Sequence, residues 1–234
     1  SDPVKEHLML DLGINERMIR LVHNGIDVPF FAAARNITPD ERAGLRRSLG
    51  LSDGPVVGII ARLSDVKGHR YLIHAMKLVL DRHPDAQLLI VGEGPMERRL
   101  AALVRSLKIE RSVVFVPTVP GTARTLSVID VYVLPSLKEG LGLSLMEAMA
   151  AGLPCIGADV GGIRSLIRPG DNGLLVRPAD PAGLALAIQQ MLSDRALARR
   201  MGESAHLFIN RYFSQAEMLL RTEEVYRECL TKGN

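Results

Sequence analysis

Four charged residues carry the chemistry this sequence could do: Arg62 and Lys67 in one short stretch, Glu139 and Glu147 in another. Arg62 and Lys67 lie in Ala61-Arg62-Leu63-Ser64-Asp65-Val66-Lys67-Gly68, directly after the apolar run 56–61. Two cations on one loop can neutralise a diphosphate, and hydrogen bonds to charged groups contribute about 1.5–3 kcal/mol each. Glu139 and Glu147 bracket Gly140-Leu141-Gly142-Leu143, a glycine-broken turn that runs into helix-forming residues as far as Gly152. A strand, a glycine turn and a helix start in succession place backbone N–H groups in front of an anion. The carboxylates repel that anion, so their partners are hydroxyls, as on a sugar or a ribose. Taken singly, Arg62 and Lys67 read as two solvated loop charges and Glu147 as a solvated helix residue. Together with the glycine turn they read as a site. A glycosidase-type pair needs two carboxylates flanking a sugar bond, and spacing along the chain fixes no such separation.

The elements that must position these groups follow from periodicity. Short apolar runs at 56–61, 87–91, 112–116, 130–134, 155–158 and 173–176 predict strands, the first of them covered on both faces. Between them the patterns predict helices over 69–82, 96–107, 122–128 and 144–151, and a short one ending at Ile167. Leu72, Ala75, Met76, Val79 and Leu80 share one face of the first. Three helices follow at about 180–192, 194–210 and 214–230. Thr38-Pro39-Asp40-Glu41 supplies an N-cap, a first-turn proline and early acids for a helix to Leu49. Upstream, a short helix is expected to end at Gly13, a strand to span 18–23, and 29–35 to be irregular. Strands alternating with helices predict an α/β fold, a doubly wound parallel sheet of Rossmann-like type, with ligands outside the carboxyl ends of the strands. Gly92-Glu93-Gly94-Pro95 lacks dinucleotide spacing, because Glu97 stands where a third glycine belongs. It reads as a plain turn, as does Gly161-Gly162.

Composition narrows the function. The chain has 234 residues, 47% hydrophobic and 24% charged, with a net charge of +3. That balance suits an anionic ligand or a membrane surface and falls short of a nucleic-acid binder. Only 4% of residues are aromatic and none is Trp, which argues against base-stacking platforms. The six histidines show no ligand spacing, so no metal site is expected. The two cysteines, Cys155 and Cys229, read as reduced. No run predicts a membrane span or a leader, which makes the cytoplasm the expected location.

Several segments, in this order, carry a resemblance. They are Val22-His23-Asn24-Gly25-Ile26-Asp27, then Gly58-Ile59-Ile60-Ala61-Arg62-Leu63 with Lys67-Gly68, and Ile90-Val91-Gly92-Glu93-Gly94-Pro95. Glu139 through Gly152 follows, with its two glutamates eight apart, then Asp159-Val160-Gly161-Gly162 and Asn172-Gly173-Leu174-Leu175-Val176. The whole resembles the C-terminal, donor-binding half of the retaining nucleotide-sugar glycosyltransferases of family 4, which have the two-domain GT-B fold. The resemblance implies that Arg62 and Lys67 bind the donor diphosphate and stabilise the departing nucleoside diphosphate. It implies that amides around Gly140, Leu141, Gly142 and Leu143 support the same phosphates. Glu139 would hold hydroxyls of the donor sugar near the reacting carbon, which makes Glu139, Arg62 and Lys67 the catalytic set. Glu147 would hydrogen-bond the ribose, and Val119 and Arg124 would flank the base. No metal or other cofactor is implied.

Two positions depart from the family pattern. Pro117 stands where relatives carry Gly, which leaves uridine, guanosine and adenosine donors all open. Arg164-Ser165 replaces a usual Pro-Glu. The resemblance divides the chain into a crossover from an N-terminal acceptor domain over 1–30, a donor domain over 31–212, and a C-terminal helix over 213–234 that returns toward the acceptor domain. It implies transfer of a hexose-type sugar from a nucleotide sugar to a glycan or lipid-linked acceptor, and it is compatible with peripheral attachment to the inner membrane surface. By itself the segment is expected to bind donor without transferring sugar. The alternative is a non-catalytic nucleotide-binding or scaffold module of the same fold.

Overall fold

The computed structural model describes residues 2–118 and 121–232. Six parallel strands form one sheet: β1 (Val56–Ile60), β2 (Gln87–Val91), β3 (Val113–Val116), β4 (Val131–Leu134), β5 (Cys155–Ala158) and β6 (Leu174–Val176). Their order is β3-β2-β1-β4-β5-β6. Val57 of β1 sits opposite Leu88 on one side and Val131 on the other. Every residue of β1, β2, β4 and β5 is buried. A parallel sheet buried so completely needs helices on both faces.

Those helices come in chain order. α1 (Asp2–Leu10), α2 (Val28–Ala32) and α3 (Pro39–Ser48) precede the sheet. Thr38 and Glu41 start α3 with a reciprocal capping box. The crossovers are α4 (His69–Val79), α5 (Glu97–Ser106), α6 (Thr122–Leu126), α7 (Leu143–Ala150) and α8 (Ile163–Leu166). α9 (Pro181–Ser193), α10 (Arg195–Tyr212) and α11 (Gln215–Lys232) close the chain. Alternate strand residues serve opposite layers. Val57, Ile59, Leu88, Ile90, Val131 and Val133 pack with α4, α5 and α9, whereas Ile60, Leu89, Tyr132 and Leu134 pack with α7, α8 and α10. Full burial of a side chain such as Leu72 or Ile90 contributes about 1.5–3 kcal/mol. Cys155 is buried in β5, Cys229 is exposed on α11, and both are free thiols. Among the described residues no helix is long and apolar enough to cross a membrane.

Two expectations for the first part of the chain fail. Residues 18–23 form no strand: after a short turn at Glu16–Met18 the backbone is extended and stands apart from the sheet. Its continuation pairs with the junction of α10 and α11, through Ile26 N–H to the Phe213 carbonyl and Gln215 N–H to the Ile26 carbonyl, both 2.9 Å. A Cβ on Gly25 would lie 2.3 Å from the Ser214 carbonyl oxygen, so only glycine permits this approach. Residues 29–35 are helical instead of irregular. The Asp27 carboxylate accepts from the Phe30 amide at 3.0 Å and Pro29 occupies the first turn of α2, which is a complete start signal.

Candidate functional site

Strand connections run in opposite directions from β1 and β4, neighbours in the middle of the sheet. The loops leaving their carboxyl ends therefore face a common crevice. The first is Arg62–Gly68. Leu63 N–H donates to the Glu93 carbonyl at 2.9 Å, and Met96 N–H donates to the Leu63 carbonyl at 3.1 Å. Gly92 and Gly94 adopt φ of 145° and 156°, and a Cβ there would lie 2.1 and 2.3 Å from the Ala61 and Leu63 carbonyl oxygens. The Gly-Glu-Gly segment thus buttresses the cationic loop by direct backbone contact.

The second loop leaves β4. Leu137 N–H donates to the Val66 carbonyl at 2.7 Å. Gly68, at φ +73°, packs so tightly on Pro135 that a Cβ would lie 1.9 Å from its carbonyl oxygen. This stitching brings Lys67 Nζ to 2.6 Å from Glu139 Oε2, and the Ser136 hydroxyl donates to the same oxygen at 3.2 Å. Glu139 keeps only 12% of its side chain exposed and Lys67 24%, so the pair is partly desolvated. Ser136 itself is fully buried. Arg62 is exposed and its guanidinium makes no hydrogen bond or ion pair among the described residues, leaving its charge available to an anion.

Gly161 and Gly162 hold the carboxylate loop from behind. Gly162 N–H donates to the Glu139 carbonyl at 3.0 Å. A Cβ on Gly161 would lie 2.1 Å from the Glu139 carbonyl oxygen, and one on Gly162 equally close to that of Gly140. Gly142, at φ +88°, caps α7 and receives the Leu145 and Met146 amides at 3.0 and 3.1 Å. The amides before these two, including that of Leu143, precede the first intrahelical bond of α7. Glu147 lies one turn inside α7, and burial pushes its carboxyl up to about 7. Beneath it, the buried Tyr132 hydroxyl donates to the Ile60 carbonyl at 3.2 Å and also engages Ser144. Tyr132 is held above the usual phenol range, first by burial and in lesser part by the neighbouring Cys155 and Glu147.

The structure thus brings together Lys67, Glu139 and the start of α7, which holds Gly142, Leu143 and Glu147, with Gly140 and Leu141 in the same loop. Arg124 opens toward a cavity of about 360 Å³ beside α6, which it lines with Glu41, Ile37 and Ser127, and it acts electrostatically on Glu41. Val119 lies outside the described residues. Sequence reasoning missed the roles of Tyr132, Ser136, Ser144 and His69, and it read the two glycine pairs only as turns. His69 opens α4 with 2% of its surface exposed and no partner for either ring nitrogen. Burial, and then the charge of Lys67, lower its pKa to about 4, so the ring is neutral. Among the described residues no group of three or more His, Cys, Asp or Glu side chains is placed to hold a metal ion.

A family profile described as "Glycosyl transferases group 1" matches residues 41–208. The chain is 35% identical over 213 residues to N-acetyl-alpha-D-glucosaminyl L-malate synthase of Bacillus anthracis, covering 91% of this chain and 54% of that protein. The crystal structure of a glycosyltransferase from Rickettsia africae superposes with a TM-score of 0.90 at 25% identity, over 98% of this chain and 62% of the other. Anabaena HepE in complex with UDP has the same fold, with a TM-score of 0.88 at 22% identity over 99% of this chain and 62% of the other. The chain spans about half the length of the curated relatives it matches.

Proposed function

Because the chain belongs to the group 1 glycosyl transferases, we propose that it forms the donor-binding half of a retaining glycosyltransferase of family 4. That enzyme moves a hexose-type sugar from a nucleotide-diphosphate sugar to a glycan or lipid-linked acceptor. The observation that carries the reading is the Lys67–Glu139 pair at the sheet's switch point, beside the unneutralised Arg62. In this reading the donor's diphosphate replaces Glu139 as the partner of Lys67 and draws in Arg62 and the first amides of α7. Glu139, released from Lys67, accepts hydrogen bonds from hydroxyls of the sugar, and Glu147 accepts them from the ribose. As the bond from the sugar carbon to the diphosphate oxygen breaks, Arg62 and Lys67 offset the charge growing on that oxygen without needing to reorganise. Two cations and a helix start serve where other transferases use a metal ion, so the reaction is proposed to be metal-independent.

Residues 1–30 and the helix at 213–234 are assigned to the connection with an acceptor domain, and this chain alone is proposed to bind donor without transferring sugar. HepE, seen with UDP, shares the fold and supports a nucleotide diphosphate as the ligand of this crevice. Net charge of +3 suits work in the cytoplasm at an anionic membrane face. The test is calorimetric titration with UDP, GDP and ADP. At least one binds at about millimolar concentration or below, and Arg62→Ala and Lys67→Ala each weaken it about tenfold or more. Failure of all three to bind, or binding indifferent to both substitutions, refutes the assignment.

A further inference from the structure

A cavity of about 860 Å³ opens in the layer of α4, α5 and α9, away from α7 and Glu147, which pack on the other face of the sheet. Its size falls within the range of about 300–1,000 Å³ typical of small-molecule pockets. Arg70, His74 and Lys77 enter it from α4, at spacings that put them on one side of that helix, and Arg99 enters from α5. The side chains of His74, Lys77 and Arg99 make no hydrogen bond or ion pair among the described residues, and Arg70 rests on the Tyr71 ring with its Cζ 4.9 Å from the centroid. Arg35, Arg164 and Arg227, by contrast, are each held by a carboxylate.

Two acids also line the cavity, Asp65 and Asp180. The Asp180 carboxylate is committed as the N-cap of α9, accepting the Gly183 amide at 2.9 Å. Three permanent cations therefore face two carboxylates, which leaves a net positive charge of one on the cavity wall. The wall below them is apolar: Leu100 is 3% exposed, and Leu78, 42% exposed, stands open at the edge. Guanidinium forks bind phosphate in a bidentate manner, and an ammonium nearby adds a point charge.

The geometry points to a second ligand site here, one that takes an organic phosphate. The phosphate sits among Arg70, Lys77 and Arg99, and the carbon portion lies against Leu78, Leu100 and the Tyr71 ring. None of these residues belongs to the Lys67–Glu139 crevice, and the site does not rest on the function proposed for that crevice.

The test follows the His74 ring protons by NMR during titration with phenyl phosphate and, separately, inorganic phosphate. Phenyl phosphate shifts His74 saturably and leaves His7 and His206 unmoved. It binds about fivefold or more tighter than inorganic phosphate, because only it covers the apolar wall. The exposed double variant Arg70→Gln/Arg99→Gln weakens the response about tenfold or more, and Lys77→Gln weakens it in the same direction. Arg62→Ala/Lys67→Ala leaves the response intact. A His74 ring unmoved at about 10 mM phenyl phosphate overturns the site. So does a response that survives in Arg70→Gln/Arg99→Gln and in Lys77→Gln, or that disappears in Arg62→Ala/Lys67→Ala. Equal affinity for the two phosphates overturns its assignment to an organic ligand.

Discussion

Glu147→Gln separates what α7 needs to fold from what the crevice needs to bind. Burial holds the Glu147 carboxyl near pH 7, against an ordinary value of 4.5. Between those values the folded protein keeps a proton that the unfolded chain has lost. Stability is therefore fully present below 4.5 and falls as pH rises through about 7. At 1.36 kcal/mol per pH unit that window amounts to at most about 3 kcal/mol, and partial solvent access reduces it to about 1–2 kcal/mol. Glutamine keeps the shape and removes the titration. The variant should therefore gain on the wild type between pH 5 and 8, by about 3–6 °C in Tm for a chain of this size. Ligand binding makes the opposite demand, because ribose hydroxyls donate best to an ionised carboxylate. Nucleotide affinity should climb with pH through about 7 in the wild type and be weaker and flat in Glu147→Gln. Differential scanning calorimetry and titration at four pH values measure both. Melting curves that stay parallel across pH, together with pH-independent wild-type binding, would refute the burial argument and the ribose role at once.

Three further outcomes are expected. Gly162→Ala drives a Cβ to within 2.1 Å of the Gly140 carbonyl oxygen. Circular dichroism should show an intact fold, while nucleotide binding falls about tenfold or more because the Glu139 loop is displaced. Asp130 accepts from Arg42 at 2.8 Å and from Arg46 and the Val56 amide at 2.7 Å each, far along the sheet from the crevice. Asp130→Asn leaves the Arg46 guanidinium buried without its counter-charge and should cost about 3 kcal/mol, lowering the urea midpoint without changing the slope or nucleotide affinity. His69→Leu removes a buried ring with no hydrogen-bond partner and should be neutral or stabilising by about 1 kcal/mol at pH 7. The wild type should also lose stability as pH falls from 6.5 toward 4, a slope the variant lacks, since the unfolded chain takes up the proton first.

Sequence reasoning succeeded where one local signal sufficed. β1, β2, β4 and β5 are buried on both faces, so each appears as an unbroken apolar run set off by turn residues. The capping residues of α3 were equally plain. The run 18–23 had the same apolar character and was misleading, because what fixes that segment is the chain nearly two hundred residues later. His23 stacks on Phe213 with ring centroids 5.3 Å apart, and Arg20 pairs with Glu228 at 2.9 Å. In the crevice, Lys67 and Glu139 announced themselves by charge and by the glycines beside them. Gly92, Gly94, Gly161 and Gly162 did not, because their role is to let one backbone touch another, and a partner carbonyl leaves no mark on the local sequence. Tyr132 was hidden for a related reason: inside an apolar run, a hydroxyl aimed at one distant acceptor looks like any other buried residue.

The arrangement of the central strands bears on how this molecule comes together. β1 pairs with β2 across a crossover of ordinary length, but its other neighbour, β4, lies some seventy residues away in the chain. Contacts of that sequence separation are slow to form, since the intervening chain must be ordered before the pairing repays it. Lys67 and Glu139 stand on opposite banks of this seam. A partly folded chain can possess β1, β2, β3 and their helices and still have no crevice. Competence to bind nucleotide is therefore a clock for the closing of the β1–β4 seam, and it should appear after most of the helical signal has already been regained.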